Sequence, residues 1–364
     1  IIPQLCVSDQ KCHEIKIAAN CLLAKYNDTE NAVGMGMSLG VDSMVTLKEY
    51  NYMDMPKSYR ITHLTYHEVG AHHGMDINGR RGPYSGKQLF DGQLEKVKEF
   101  CAKYGYPLVV INSNIQNFLR KTLPYMSFHT NCTYRNVAAI LVLQKLFGKF
   151  YCASAFNLDV FECDSAKDSE KYEKFLLPYL STDNTKFYNS NKNWSRQKKV
   201  ELLKDFEPSY DYLTVCLTHI NNCGKCMKCR RTLMNLDVVG SLAKYDKSFD
   251  INTYEEHRSD FLMELWNSKN PDPFLKEILE YALQNDYEFL PKPDVKKIDE
   301  NIIGNVHMLN IRELPSMYSK ILQPRYKGKV WVIGEYNDRE GAIWYEAITE
   351  DGIKGFCVAK FVKK

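Results

Sequence analysis

Short β-branched or apolar runs alternate along the chain with longer segments in which apolar residues recur every three or four positions. The first pattern predicts strands and the second helices, and their alternation predicts a parallel sheet covered on both faces. Strands are expected over residues 32–38, 60–66, 107–111, 150–156 and 212–217, and helices over 42–50, 88–104, 134–147 and 196–205. The expected fold is therefore α/β, a doubly wound sheet of five parallel strands. Ligands of such sheets sit beyond the carboxyl ends of the strands, which points at Ser38, Tyr66, Asn112 and Phe156. Upstream, residues 10–26 place Ile15, Ala18, Ala19, Leu22 and Leu23 on one helical face and read as a packing helix.

After about residue 240 the pattern changes. Residues 241–295 read as a helical extension, broken at Asn270-Pro271-Asp272-Pro273 and ending in a linker over 290–294. From residue 318 the segments KVWVIGEY, AIWYEAIT and GFCVAKFV alternate in short strands and predict a small β-barrel over 318–364.

Composition narrows the class. The 364 residues are 44% hydrophobic and 26% charged, a globular balance large enough for two or three domains. No stretch of 18 apolar residues occurs, since even 137–147 is cut by Gln144 and Lys145, so no membrane span is expected. Forty-eight Lys plus Arg against 45 Asp plus Glu leave +3, which gives no electrostatic case for duplex nucleic acid. The chain opens on Ile1, leaving room for residues upstream, and nothing before Cys6 has the form of a signal peptide. The expected location is cytoplasmic.

Four of the twelve cysteines crowd into Cys216, Cys223, Cys226 and Cys229, spaced Cys-x6-Cys-x2-Cys-x2-Cys. In a cytoplasmic protein that spacing points to metal. Four thiolates around a turn that Gly224 permits suit tetrahedral zinc, with Lys225, Lys228, Arg230 and Arg231 offsetting the charge; an iron–sulfur cluster is the alternative.

The string Gly36-Met37-Ser38-Leu39-Gly40-Val41-Asp42-Ser43 follows the first expected strand and opens into a helix. Free backbone N–H groups at such a junction, from Ser38 to Ser43, form an anion site; Ser38 and Ser43 add hydroxyls, and Asp42 is placed to hold magnesium beside phosphates. No Walker loop or dinucleotide fingerprint is present. The string resembles the SGGxDS signature of the PP-loop ATP pyrophosphatases, which have an adenine-nucleotide-hydrolase-like fold. It departs from that signature at Leu39, where the second glycine would stand. The resemblance implies ATP and Mg2+ as cofactors, cleavage between the α and β phosphates, and an adenylate intermediate.

With the late cysteine cluster, residues 32–235 resemble 7-cyano-7-deazaguanine synthases. That resemblance implies a Zn2+ site and a substrate loop at Asn157, Asp159 and Asp164, and it aligns Ser195-Arg196 with that family's Ser-Lys helix start. The segment IWYEAITEDGIKGFCVAKFVK resembles the end of bacterial SH3-like domains.

Further candidates follow from position. Arg135 opens a helix on the ligand side and could clamp a phosphate or carboxylate with its planar fork. Arg196, Lys198 and Lys199 lie in the first turn of a helix, where cations call for an anion; Arg196 and Lys198 are the candidates for ATP. His63, His67, His72 and His73 admit three readings: a second metal site, a lid with His67 at the substrate, or ordinary loop and core histidines. Cys132 is either a persulfide carrier or a buried thiol.

These readings converge on an ATP-dependent enzyme that adenylates a substrate carboxylate or amide and couples it to ammonia or an amine. The expected partners are a small-molecule acid, with a protein or tRNA as candidate acceptor, and a second copy of the chain as a homodimer. The alternatives are a tRNA-thiolating or protein-modifying PP-loop enzyme, a catalytically weak ATP-binding partner module, and a zinc-dependent nucleic-acid binder.

Overall fold

The computed structural model describes residues 26, 29–76, 78–124, 127–158, 168–267, 272–285, 287, 296–315, 317, 319–337 and 342–363. The expected packing helix over 10–26, apart from Tyr26, and the linker over 290–294 lie outside them.

The chain divides into two compact units, one comprising residues up to Glu256 with Pro273–Tyr281, the other His257–Asp272 with Ala282 onward. The first is an α/β unit. Its sheet holds β1 (Ala32–Gly36), β2 (His63–Glu68), β3 (Leu108–Asn112), β4 (Phe147–Ala153) and β5 (Lys186–Ser190). All are parallel, in the order β3-β2-β1-β4-β5. Ala32 to Met35 in β1 are all buried, as expected of a central strand covered on both faces. Gly34 is needed there, because a Cβ would lie 2.6 Å from the Phe147 ring on β4.

The helices are α1 (Val41–Leu47), continued by a π-helical turn Lys48–Tyr52, then α2 (Gly86–Tyr104), α3 (Ile115–Thr122), α4 (Cys132–Leu141), α5 (Ser169–Leu180), α6 (Arg196–Leu203), α7 (Glu207–Tyr210) and α8 (Met227–Val238). α2 starts at a capping box of Ser85 and Gln88 and stops at Gly105, whose φ of 74° ends the helix. Val137 and Ile140 of α4 and Leu177 of α5 bury their apolar faces on Phe147, Phe150 and Phe187 of the sheet. The extension supplies α9 (Ile251–Asn267) and α10 (Pro273–Gln284).

Five parallel strands are present, but the fifth is Lys186–Ser190 and not the expected 212–217, which forms no strand. Residues 213 and 216 are nonetheless buried, and Thr214 N–H bonds to Leu39 O at 2.8 Å, so the apolar run packs under the loop after β1. β4 ends at Ala153, three residues before the expected Phe156, and β2 runs on to Glu68.

In the second unit β6 (Lys296–Arg312), β7 (Ile321–Asn337), β8 (Ile343–Thr349) and β9 (Lys354–Val358) close into an antiparallel barrel. Val306, Ile311, Tyr326, Val330, Ala347 and Cys357 fill it. Its first strand lies upstream of the stretch where alternation predicted strands. No helix among the described residues is long and apolar enough to cross a membrane.

Candidate functional site

Strand order reverses on either side of β1, and the crevice beyond its carboxyl end is where ligands of open α/β sheets bind. Met37 N–H bonds to Thr65 O at 2.8 Å, and Ser38-Leu39-Gly40 then turns the chain into α1. Leu39 stands at φ 58°, the left-handed conformation that the missing glycine would have taken without strain. For leucine this costs about 1–2 kcal/mol. Its side chain is 1% exposed, and burial worth about 2 kcal/mol offsets the strain while keeping the leucine out of the crevice. Gly40 N–H donates to Ser38 Oγ at 3.3 Å, and Ser43 Oγ donates to Gly40 O at 3.0 Å.

Asp42, in the first turn of α1, shares its carboxylate between Arg196 Nη2 at 2.7 Å and Lys199 Nζ at 2.9 Å. Burial alone would raise its pKa; the two cations outweigh burial and hold it at about 2. Lys199 is fully buried and also donates to Ser154 O at 2.6 Å. Arg196 and Lys199 are three residues apart on α6 and share a face. Lys198 is turned outward to Glu201, 2.9 Å away. The cation at the loop is thus Lys199, not the expected Lys198. Asp42, expected to meet magnesium, has both oxygens bonded to protein cations.

A cavity of about 210 Å³ opens beside this loop. Its lining includes Ser38, Gly40, Asp42, Thr214 and Cys216 together with Arg196, Lys228 and Arg231. Lys228 has a lowered pKa, through burial first and then the neighbouring Arg196 and Arg231 charges. Three cations against one carboxylate form an anion-seeking wall.

A second cavity, about 220 Å³, shares Ser38, Ala71 and His72 with the first and runs beneath Tyr66, His67, Asn136, Cys152, Glu170 and Glu173. Burial brings the His67 pKa down to about 4, so the ring is neutral, with Nε2 2.6 Å from Thr65 Oγ1. Burial, reinforced by Glu170, pushes the Glu173 carboxyl up to about 8; it accepts from Asn189 Nδ2 at 2.9 Å. These acids were missed from the sequence because periodicity did not reveal α5. Their spacing of three, with Asp168 as a helix cap, was the available signal. The Cys132 thiol donates to Glu170 Oε1 at 3.1 Å, and burial followed by that carboxylate pushes its pKa well up. It is a buried thiol, poorly suited to nucleophilic or persulfide chemistry.

Arg135 is no clamp. It is 1% exposed, and its guanidinium donates to Val69 O (2.5 Å), Gln116 Oε1 (2.9 Å), Phe128 O (3.1 Å) and Asn131 O (3.3 Å), lying 4.0 Å over the Phe128 ring. The first turn of α4 packs against the loop after β2, and Arg135 braces that loop from within. In the same loop His72 Nδ1 lies 2.8 Å from Glu68 Oε2 and His72 Nε2 lies 2.8 Å from Tyr66 Oη. His63 bonds to Thr62 Oγ1, and His73 accepts from Met75 N–H, so the four histidines do not converge on a metal. Asn157, half-buried after β4, lines neither cavity, and Asp159 and Asp164 lie outside the described residues.

The cysteines do converge. Their four Sγ atoms lie within 4.8 Å of one another, with Cys216–Cys226 at 3.9 Å and Cys223–Cys229 at 4.0 Å. Gly224 takes φ 69° in the turn, and Asn222 Oδ1 accepts from Val215 and Cys216 N–H. This is a metal-binding donor set. α8 is preceded by Cys226 at its N-cap and carries Lys228 and Arg231 to the first cavity, which Cys216 also lines.

No protein-family model and no curated protein matches the chain. Among solved structures it is similar to the U34-tRNA thiolase NcsA from Methanococcus maripaludis, with its 4Fe-4S cluster, at 17% identity and a TM-score of 0.32 over 70% of this chain and 73% of that one.

Proposed function

We propose that the protein is an ATP-dependent adenylating enzyme of the PP-loop type. It would activate a small-molecule carboxylate or amide with release of pyrophosphate and couple the product to ammonia or an amine, as a 7-cyano-7-deazaguanine synthase does. The observation that carries this reading is the Ser38-Leu39-Gly40 turn at the end of β1, with Leu39 left-handed, lining a cavity together with Arg196, Lys228 and Arg231.

A triphosphate fits that cavity chemically, because Arg196, Lys228 and Arg231 bring three positive charges to its lining. In this mechanism the loop N–H groups and cations hold the phosphates, and the acid lies in the second cavity with its oxygen toward the α phosphorus. Catalysis comes from positioning and charge neutralisation. Mg2+ would enter as the companion of ATP, held by phosphate oxygens and water, since the Asp42 carboxylate in the same lining is already bonded to Arg196 and Lys199. The homodimer and the SH3-like reading of the barrel, as a module recognising a partner, belong to the same proposal, as does a cytoplasmic location.

Zn2+ is the metal we propose for the cysteines. Thiolates bonded at about 2.3 Å to one tetrahedral ion stand about 3.8 Å apart, close to the two distances present. An iron–sulfur cubane binds each thiolate to a different iron and spreads them wider. When bound, the ion would hold Cys216 and the start of α8 in place beside the phosphates.

Thiolation of tRNA is less favoured, since the pKa values of Cys132 and Cys152 are both pushed well up by burial. The test is pyrophosphate release from magnesium ATP with 7-carboxy-7-deazaguanine and other acids, using Asp42→Ala as control. Acid-dependent release lost in the variant is the expected result. Nucleotide binding without turnover would favour the partner-module reading.

A further inference from the structure

The loop after β2 joins three cavities at one side chain. His72 lines the phosphate cavity, the second cavity and a third, wider one of about 1080 Å³ that Glu68 also lines. Tyr66 faces the second cavity.

The hydrogen-bond directions in this group follow from donor chemistry. A carboxylate can only accept, so His72 Nδ1, 2.8 Å from Glu68 Oε2, is placed to donate a ring hydrogen. In the neutral ring Nε2 is then bare and faces the Tyr66 hydroxyl at 2.8 Å, the shorter of that hydroxyl's two contacts, Gln93 Oε1 lying at 3.3 Å. Gly70 N–H fixes the other Glu68 oxygen at 3.0 Å. The rings are also held: Tyr66 stacks on Phe90 at 5.2 Å, and a Cβ on Gly86 would fall 2.0 Å from His72 O, so α2 starts directly against this residue.

We propose that Tyr66, His72 and Glu68 form the proton relay of the coupling step, and that the wide cavity is the amine's way to the activated acid. This inference rests on the adenylating reading. The amine nitrogen bonds to the activated carbon, the bond from that carbon to the phosphate-bound oxygen breaks, and AMP leaves with the electron pair. One proton of the attacking nitrogen passes to Tyr66 Oη as the tyrosine's own proton moves to His72 Nε2, and the resulting imidazolium faces Glu68. The relay adds nothing to attack on the α phosphorus, where the carboxylate brings no proton.

The test separates the two halves of the reaction in the full chain, with magnesium ATP, 7-carboxy-7-deazaguanine and ammonium chloride. Glu68→Gln keeps the bond from Gly70 but removes the charge behind the imidazole. Its single-turnover pyrophosphate burst is expected to match wild type while amide formation slows about 100-fold, the ordinary scale of general-base catalysis, with partial recovery in Glu68→Asp. Should Glu68→Gln not fold, Tyr66→Phe, which keeps the ring on Phe90, must show the same loss in coupling. Equal slowing of both halves, or of neither, overturns the relay. A wild-type protein releasing no pyrophosphate overturns the adenylating reading itself and is distinguished by that silence.

Discussion

Lys199 Nζ, shut off from solvent, lies 2.9 Å from Asp42 Oδ1. Removing one partner of such a pair strands the other charge. Asp42→Ala is therefore expected to destabilise the protein by about 3–5 kcal/mol, measured by urea unfolding, and Lys199→Met by less because the Asp42 carboxylate keeps Arg196. Equal stability of Asp42→Ala and wild type would show that this pair does not persist in solution.

Stability should depend on pH from two sides. Asp42 titrates near 2 when folded against an ordinary 3.8, so its contribution, about 2 kcal/mol, is present above pH 4 and lost as pH falls through 2. Glu173 titrates near 8 against an ordinary 4.5, so its contribution is full below that value and lost as pH rises through 8. Glu173→Gln mimics the neutral acid and should flatten the decline in unfolding temperature between pH 4.5 and 8. An unchanged decline would place its cause elsewhere.

Leu39→Gly tests whether strain or burial governs the loop. Relief of the left-handed conformation returns about 1–2 kcal/mol, whereas emptying a buried leucine site costs about 2–5 kcal/mol. A net loss of stability is expected in denaturant titrations. A more stable variant would mean that the leucine cavity collapses around the glycine.

On the adenylating reading, stripping metal with a chelator should weaken nucleotide binding as well as unfold the knuckle, because Cys216 lines the first cavity and α8 carries Lys228 and Arg231 into it. Calorimetric titration with magnesium ATP, before and after chelation, is the measurement. Undiminished affinity in stripped, folded protein would uncouple the two sites. Elemental analysis should find zinc without iron.

Arg135→Ala should act on stability and not on chemistry. The substitution leaves the Val69 and Phe128 carbonyls and the Gln116 side chain without their donor, at a cost of about 3 kcal/mol or more. Arg135→Lys should not rescue it, because an ammonium cannot reproduce the planar fork. A stable variant with lost turnover would restore the clamp reading.

The loop, the cysteine knuckle and four of the five strands were legible because their signals are local: a glycine and serine spacing, a cysteine spacing, an apolar run. Lys186–Ser190 carries Lys186 and Asn189 on an edge strand, and only its pairing with β4 makes it a strand. Residues 212–217 are apolar because they sit beneath Leu39, a reason no periodicity distinguishes from sheet burial. The choice between Lys198 and Lys199 turned on which face of α6 meets Asp42, and Arg135 on how α4 meets the loop after β2. Both depend on packing between segments distant in sequence.

The first cavity draws its lining from Ser38 and Asp42 early in the unit and from Lys228 and Arg231 nearly two hundred residues later. A chain still being synthesised has no complete cavity until that last helix has emerged. On the adenylating reading, nucleotide would therefore bind only the finished unit and, by mass action, stabilise it against every partly folded form.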